Sequence, residues 1–320
     1  MKKFLFLGIA ATAMLASCTN DETVEMNPQN AIGFEMFVDK STRAAEDVTT
    51  ANLTAFEVYG WRGDAQIFNA QAVTASNGVC TYTPLQYWVG GYAYTFEAVA
   101  PKSGEKGVTF TASKGASTIT FESNSETDLI YATAPKDLTS TANLTSAPDA
   151  VELTFSHLLS RVKFSFVNGF PADSDVKLTV TDVKITNAGT TAVYTPSTPA
   201  WAAATATGEV TFASTAVTNI ASGNATAETE HKYLIPYDVK DYTLTFTVTM
   251  TQGGVEDTFN HSVSLSSESL VLLAGYSYDF TATLNADNIN PDGDVYPIEF
   301  TAEVTDWEDY EEKTVTVPTE

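Results

Sequence analysis

The chain carries little with which to do covalent chemistry. Among 320 residues there are three histidines and two cysteines. A zinc site needs two or more such ligands at short spacing, and His157, His231 and His261 are scattered. Cys80, in Val79-Cys80-Thr81-Tyr82, has no histidine placed nearby to act as its base, and reads as a small apolar residue in a strand. A nucleophile elbow of the Gly-x-Ser-x-Gly type, a phosphate-binding glycine loop and a dinucleotide fingerprint are all missing. These absences argue against an enzyme and imply no cofactor. Positive charge is also scarce: 16 Lys and Arg face 40 Asp and Glu, for a formal charge of −24. Such a surface repels nucleic acid and anionic headgroups, so neither is an expected partner. Beyond the first residues, nothing sustains a helical apolar period over the length of an ordinary helix.

What the chain does have begins at its start. Lys2 and Lys3 precede an apolar run from Phe4 to Ala16, too short to span a bilayer and laid out like a secretory signal peptide over residues 1–17. The run ends in Leu15-Ala16-Ser17-Cys18, which is similar to a bacterial lipobox. That likeness implies cutting before Cys18 and acylation of its thiol and new amine; several chains hold a protein at a membrane where one does not. Cys80 is then the remaining cysteine, so no intramolecular disulfide is expected although the compartment permits one. Residues 18–30 read as a polar tether, and Asp21-Glu22 resembles the surface-export signal of Bacteroidetes lipoproteins.

The body of the chain reads as strand. Thr, Val, Tyr and Phe recur at spacing of two over 53–61, 92–99, 128–132, 176–185, 242–249 and 276–284, bounded by turn formers. Many short strands of this kind predict an all-β chain of sandwiches. A small, polar stretch at 136–149 predicts a boundary between an N-terminal domain over 31–148 and a C-terminal domain over 149–320. Segments 202–208 and 221–230 read as long loops. Tyr92, Tyr94 and Phe96 share one strand face, which favours core over a sugar-stacking platform that would also use Tyr87 and Trp88. Asn288, Asn290, Asp292, Gly293 and Glu299 have the spacing of a calcium loop, but strands flank them and an Asn/Asp/Gly turn is the reading adopted.

Two strands stand out by position. Ile32, Phe34, Met36 and Val38 alternate with Gly33, Glu35 and Phe37 near one end; Ile298, Phe300, Ala302 and Val304 alternate with Glu299, Thr301 and Glu303 near the other. A short alternation around Val315 and Val317 comes after the second. Between the first strand and the body lies Lys40-Ser41-Thr42-Arg43-Ala44, where an isolated arginine before small residues offers a protease site.

In this order the pieces resemble the fimbrillin family of Bacteroidales, the Mfa-like and FimA-like pilins of type V pili. The likeness rests on Ile32-Gly33-Phe34 leading to Thr42-Arg43-Ala44, on Tyr87-Trp88, and on Tyr92-Ala93-Tyr94-Thr95-Phe96-Glu97-Ala98-Val99-Ala100-Pro101. It continues through Asp128-Leu129-Ile130-Tyr131-Ala132, Leu153-Thr154-Phe155-Ser156-His157-Leu158-Leu159-Ser160-Arg161-Val162 and Ala274-Gly275-Tyr276-Ser277-Tyr278. The resemblance implies two tandem transthyretin-like β-sandwich domains and a structural subunit of a surface fimbria, displayed at the outer membrane and supporting adhesion. It also implies that an arginine-specific protease cuts between Arg43 and Ala44, releasing the lipid together with the first strand.

Burial of Ile32, Phe34, Met36 and Val38 contributes about 1.5–3 kcal/mol each, against a total domain stability of about 5–15 kcal/mol. Their loss would leave an open groove for a strand of another subunit, donated from around Ile298, Phe300 and Val304 or around Val315 and Val317. Repeated, that contact gives an open polymer, of this chain or of mixed subunits. The alternative is a permanently lipid-anchored surface protein, an anchor or tip subunit or a glycan or host-protein binder, whose first strand never leaves.

Overall fold

The computed structural model describes residues 30–38, 47–76, 79–212, 220–236, 242–265, 270–290 and 297–306. Among them there is no α-helix, only strands, turns and a short 3-10 turn at Ala172–Ser174. Alternating β-branched and aromatic residues produce this directly, because successive side chains in a strand point to opposite faces.

The first sheet has seven strands in the order β1 (Phe34–Val38), β9 (Val151–His157), β8 (Ile130–Asp137), β5 (Ala93–Ala100), β2 (Ala55–Arg62), β3 (Ala65–Ser76) and β4 (Val79–Thr81). β1 runs parallel to β9, and the other neighbours pair antiparallel. The sheet curls until its ends meet. Just past β4, Ile32 N–H donates to the Gln86 carbonyl at 2.8 Å, and Trp88 N–H donates to the Asn30 carbonyl at 2.9 Å. The curled sheet encloses one core, built from Phe56, Phe68, Phe96 and Phe155 together with all four apolar positions of the first strand.

Two further sheets face each other over a second core. One centres on β10 (Ser160–Asn168), parallel to β19 (Tyr276–Leu284) and antiparallel to β15 (Ala225–Glu228) and β16 (Lys232–Leu234); β20 (Phe300–Asp306) closes its edge beside β19. The other runs β18 (Val255–Ser264), β17 (Thr243–Gln252), β11 (Lys177–Thr195), β7 (Thr118–Glu122), β6 (Val108–Thr111), with the short β12 (Ala200–Trp201), β13 (Ala206–Thr211) and β14 (Ile220–Ala221) also paired to β11. Phe166 of β10 and Phe246 of β17 meet across this sandwich with ring centroids 5.2 Å apart.

Three sequence expectations need correction. The expected domain boundary at 148/149 would assign β9 to the later domain, yet β9 pairs with β8 and β1 in the first sheet. Its alternating Val151, Leu153 and Phe155 complete the first core. Conversely, the β6–β7 hairpin joins the later sheet through β11, and Phe110, Ile119 and Phe121 form a third core there with Tyr59, Tyr131 and Tyr194. Finally, the segments read as loops at 202–208 and 221–230 overlap β13 and β14 and contain β15. β13 and β15 carry mostly small side chains and bury little, so the alternation that marks a strand is faint, while backbone pairing to β11 and β10 still holds them.

Candidate functional site

The feature that the geometry singles out is the seat of β1. Phe34, Met36 and Val38 are all buried, as is Ile32 just before the strand. The Phe34 ring enters an aromatic cage, with centroids 5.5 Å from Phe68, 5.6 Å from Tyr82 and 5.7 Å from Phe96. Gly60 on β2 makes room for that cage, since a Cβ there would stand 2.9 Å from both Phe68 and Phe96 ring carbons. Polar contacts hold the backbone: Tyr82 donates its hydroxyl to the Ile32 carbonyl at 2.7 Å, and Val38 N–H donates to Thr50 Oγ1 at 2.8 Å. The outward residues Glu35 and Phe37 are exposed, Phe37 at 48%. β1 is therefore a sheet-edge strand held mainly by one row of four apolar side chains.

The second end strand sits elsewhere. β20 belongs to a different sheet and a different core, so the fold does not bring the two end strands together. Ile298 and Ala302 are buried, while Phe300 and Val304 are only half-buried at the sandwich edge, with the Phe300 ring 5.9 Å from Phe164. Cys18, Arg43, Ala44, Asp292, Val315 and Val317 lie outside the described residues.

Beside the β1 seat lies a buried polar knot that the sequence did not announce. The Asp47 carboxylate pairs with the Arg161 guanidinium and accepts the Tyr233 hydroxyl at 2.8 Å. Arg161 Nε also donates to Ser277 Oγ at 3.2 Å. Asp128 lies 2.9 Å from His157 Nδ1 and accepts the Val48 N–H at 3.2 Å. Burial, and then the negative charges of Asp128 and Asp47, push the Tyr233 phenol far above its ordinary value, which keeps it a hydrogen-bond donor. The one available signal was Arg161 itself, a cation between Ser160 and Val162 at the start of a strand that also carries Lys163; Asp47 gives none.

The remaining candidates are structural. The Cys80 thiol is pushed up by burial and then by Glu35, the reverse of what an activated nucleophile needs. His261 is buried with its ring 4.9 Å from that of Phe246, and burial lowers its pKa. Trp88, Tyr94 and Phe96 pack in the first core. Tyr92 departs from the expected face: β5 begins at Ala93, and the Tyr92 ring is exposed with the Arg62 guanidinium 5.3 Å from its centroid. Asn288 is committed to its own turn, accepting from Asn285 N–H at 2.9 Å and donating to the Thr283 carbonyl at 2.8 Å. Among the described residues no group of His, Cys, Asp or Glu could hold a metal ion.

Comparison with known proteins fits this architecture. A profile described as fimbrillin-like matches residues 42–307. Fimbrium subunit Fim1C of Phocaeicola vulgatus is 30% identical over 224 residues, which cover 59% of this chain and 57% of that protein. The chain thus spans little more than half the length of that relative. A crystal structure described as a cell adhesion protein from Bacteroides uniformis matches with a TM-score of 0.51 at 19% identity, covering 88% of this chain and 99% of that one, and shares the fold.

Proposed function

Since the chain belongs to the fimbrillin-like family, we propose that it is a fimbrial subunit that polymerises by strand exchange. In this reading it is exported as a lipoprotein on Cys18, cut between Arg43 and Ala44, and joined to the next copy through the seat that β1 vacates. The observation that carries the reading is a match between the end strands. Ile32-x-Phe34-x-Met36-x-Val38 and Ile298-x-Phe300-x-Ala302-x-Val304 agree at three of four apolar positions in the same chain direction. In this reading each residue of the second series would take the place of one buried side chain of the first.

Burial favours the exchange. In its own sheet, β20 buries two of these four side chains and leaves Phe300 and Val304 partly wet, whereas all four positions under β1 are buried. Counting only these four side chains, the seat under β1 buries the series more deeply than its own sheet does, and each Å² of apolar area so removed from water contributes about 25 cal/mol; uncovering the β20 seat opposes this gain. Ala302 in place of Met36 offsets part of that gain. Head-to-tail repetition of the joint gives a filament at the cell surface, where the family role in adhesion would be exercised.

The test begins with the N-terminal residue of surface material. Ala44 is the expected first residue; an acylated Cys18 on all of it would instead mean a permanently anchored protein. Arg43→Ala should leave the chain lipid-bound and monomeric. If that variant still forms detergent-resistant ladders, the processing step is misassigned.

A further inference from the structure

We propose that Asp47, gripped by Arg161 and Tyr233, is a positioning residue that fixes the chain just behind the β1 seat, so that β1 can leave without unravelling the turn at 47–53. This rests on the strand-exchange reading, in which residues 44–53 become the start of the mature chain.

Two sets of contacts hold the turn, one shared with β1 and one directed elsewhere. Residues 47–53 form a compact turn: Leu53 N–H donates to the Thr49 carbonyl at 2.9 Å, Thr49 N–H to Asn52 Oδ1 at 2.6 Å, and Asn52 Nδ2 to the Asp47 carbonyl at 2.7 Å. β1 meets this turn through the Val38 N–H···Thr50 Oγ1 bond, lost when the strand departs, and through the first core, where Leu53 is buried with the β1 side chains and Val48 packs against them. The ion pair and hydrogen bonds described above for the Asp47 carboxylate and the Val48 N–H reach other elements. They run to Arg161 on β10, to Tyr233 on β16 and to Asp128.

Asp128 in turn pairs with His157, the last residue of β9 and thus of the strand that lines the vacated seat. Asp47 and Arg161 are both buried, so breaking their pair from one side strands a charge in the interior. A polar tie of this kind holds one geometry, whereas apolar packing alone would let a new chain end slide along the open groove. The tie also crosses between sheets, so the groove keeps a fixed far end.

The experiment uses the full chain and reads amide hydrogen exchange separately in β1 and in residues 47–53. In Asp47→Asn the turn should exchange about ten-fold faster or more while β1 stays protected, as loss of a buried charge-assisted contact implies. In Met36→Asp the opposite is expected: β1 loosens and the turn keeps its protection. The double variant Asp47→Asn with Arg161→Gln leaves no unpaired buried charge and should restore part of the protection, an outcome that loss of packing would not produce.

The inference is overturned if the turn loosens together with β1 in Met36→Asp, if Asp47→Asn leaves it protected, or if the double variant is no better than the single. Should Asp47→Asn fail to fold, Tyr233→Phe removes one donor to the same carboxylate. A smaller rise in turn exchange is then expected, and no rise overturns the inference. Cleavage at Arg43 is decided independently by N-terminal sequencing, so failure of one leaves the other standing.

Discussion

Burial holds the imidazole of His231 at about pKa 4 against an ordinary 6.5, and the nearby cations Arg161 and Lys163 add to the effect. A base whose folded pKa is depressed stabilises the fold above its unfolded value and loses that contribution as pH falls through the folded one. The window here runs from 6.5 down to about 4. His231→Gln should therefore change the thermal midpoint little at neutral pH and lose less than the parent on acidification through this window; parallel melting curves at both ends would disprove it. Residues such as this are hard to read from sequence. His231 acquires its charged surroundings, and Asp47 and Tyr233 their partners, only when strands far apart in the chain are brought side by side, and no local pattern reports that. Arg161 lay within a segment the family likeness singled out, but nothing local gave its partner, although a buried cation must find a counter-charge.

Strands were more legible than their neighbours in space. The period-two pattern placed β1, β2, β5, β8, β11, β17, β19 and β20 to within a few residues or better at one end, since alternation is a local consequence of burying one face. It could not say which sheet each would join, because partner choice depends on contacts across the whole chain. Strands rich in alanine and threonine, such as β13 and β15, were missed for want of large residues to mark a face. The alternation of each end strand was visible as a pattern, whereas their unequal burial was not. Ala302→Met would restore the side chain that fills the third pocket under β1. We expect it to make assembled material more resistant to denaturant, by up to the roughly 2–5 kcal/mol that separates Met from Ala in a core. A lower midpoint for the variant assemblies would mean that another segment fills the seat.

At the scale of the molecule, the chain is interleaved rather than divided. β6 and β7 leave the first half to extend the sheet built on β11, and Trp201 Nε1 donates to the Leu158 carbonyl at 2.7 Å across the junction. A low-complexity stretch at 136–149 read as a boundary because composition reports exposure, not where the sheets exchange strands. Phe121, fully buried in the shared core, should cost about 3–5 kcal/mol when changed to Ala and lower one common unfolding transition seen by calorimetry. Two separate transitions, only one of them displaced, would show that the halves unfold alone. The parallel pairing of β1 with β9 carries a consequence of its own. A replacement with the same order of side chains can lie in that seat in one orientation only, so a fibre made this way is polar: one extremity always shows an empty receptacle and the other an unspent tail. Growth and its arrest are then chemically different events at different ends, and a copy unable to lend its tail would terminate the fibre at one of them alone.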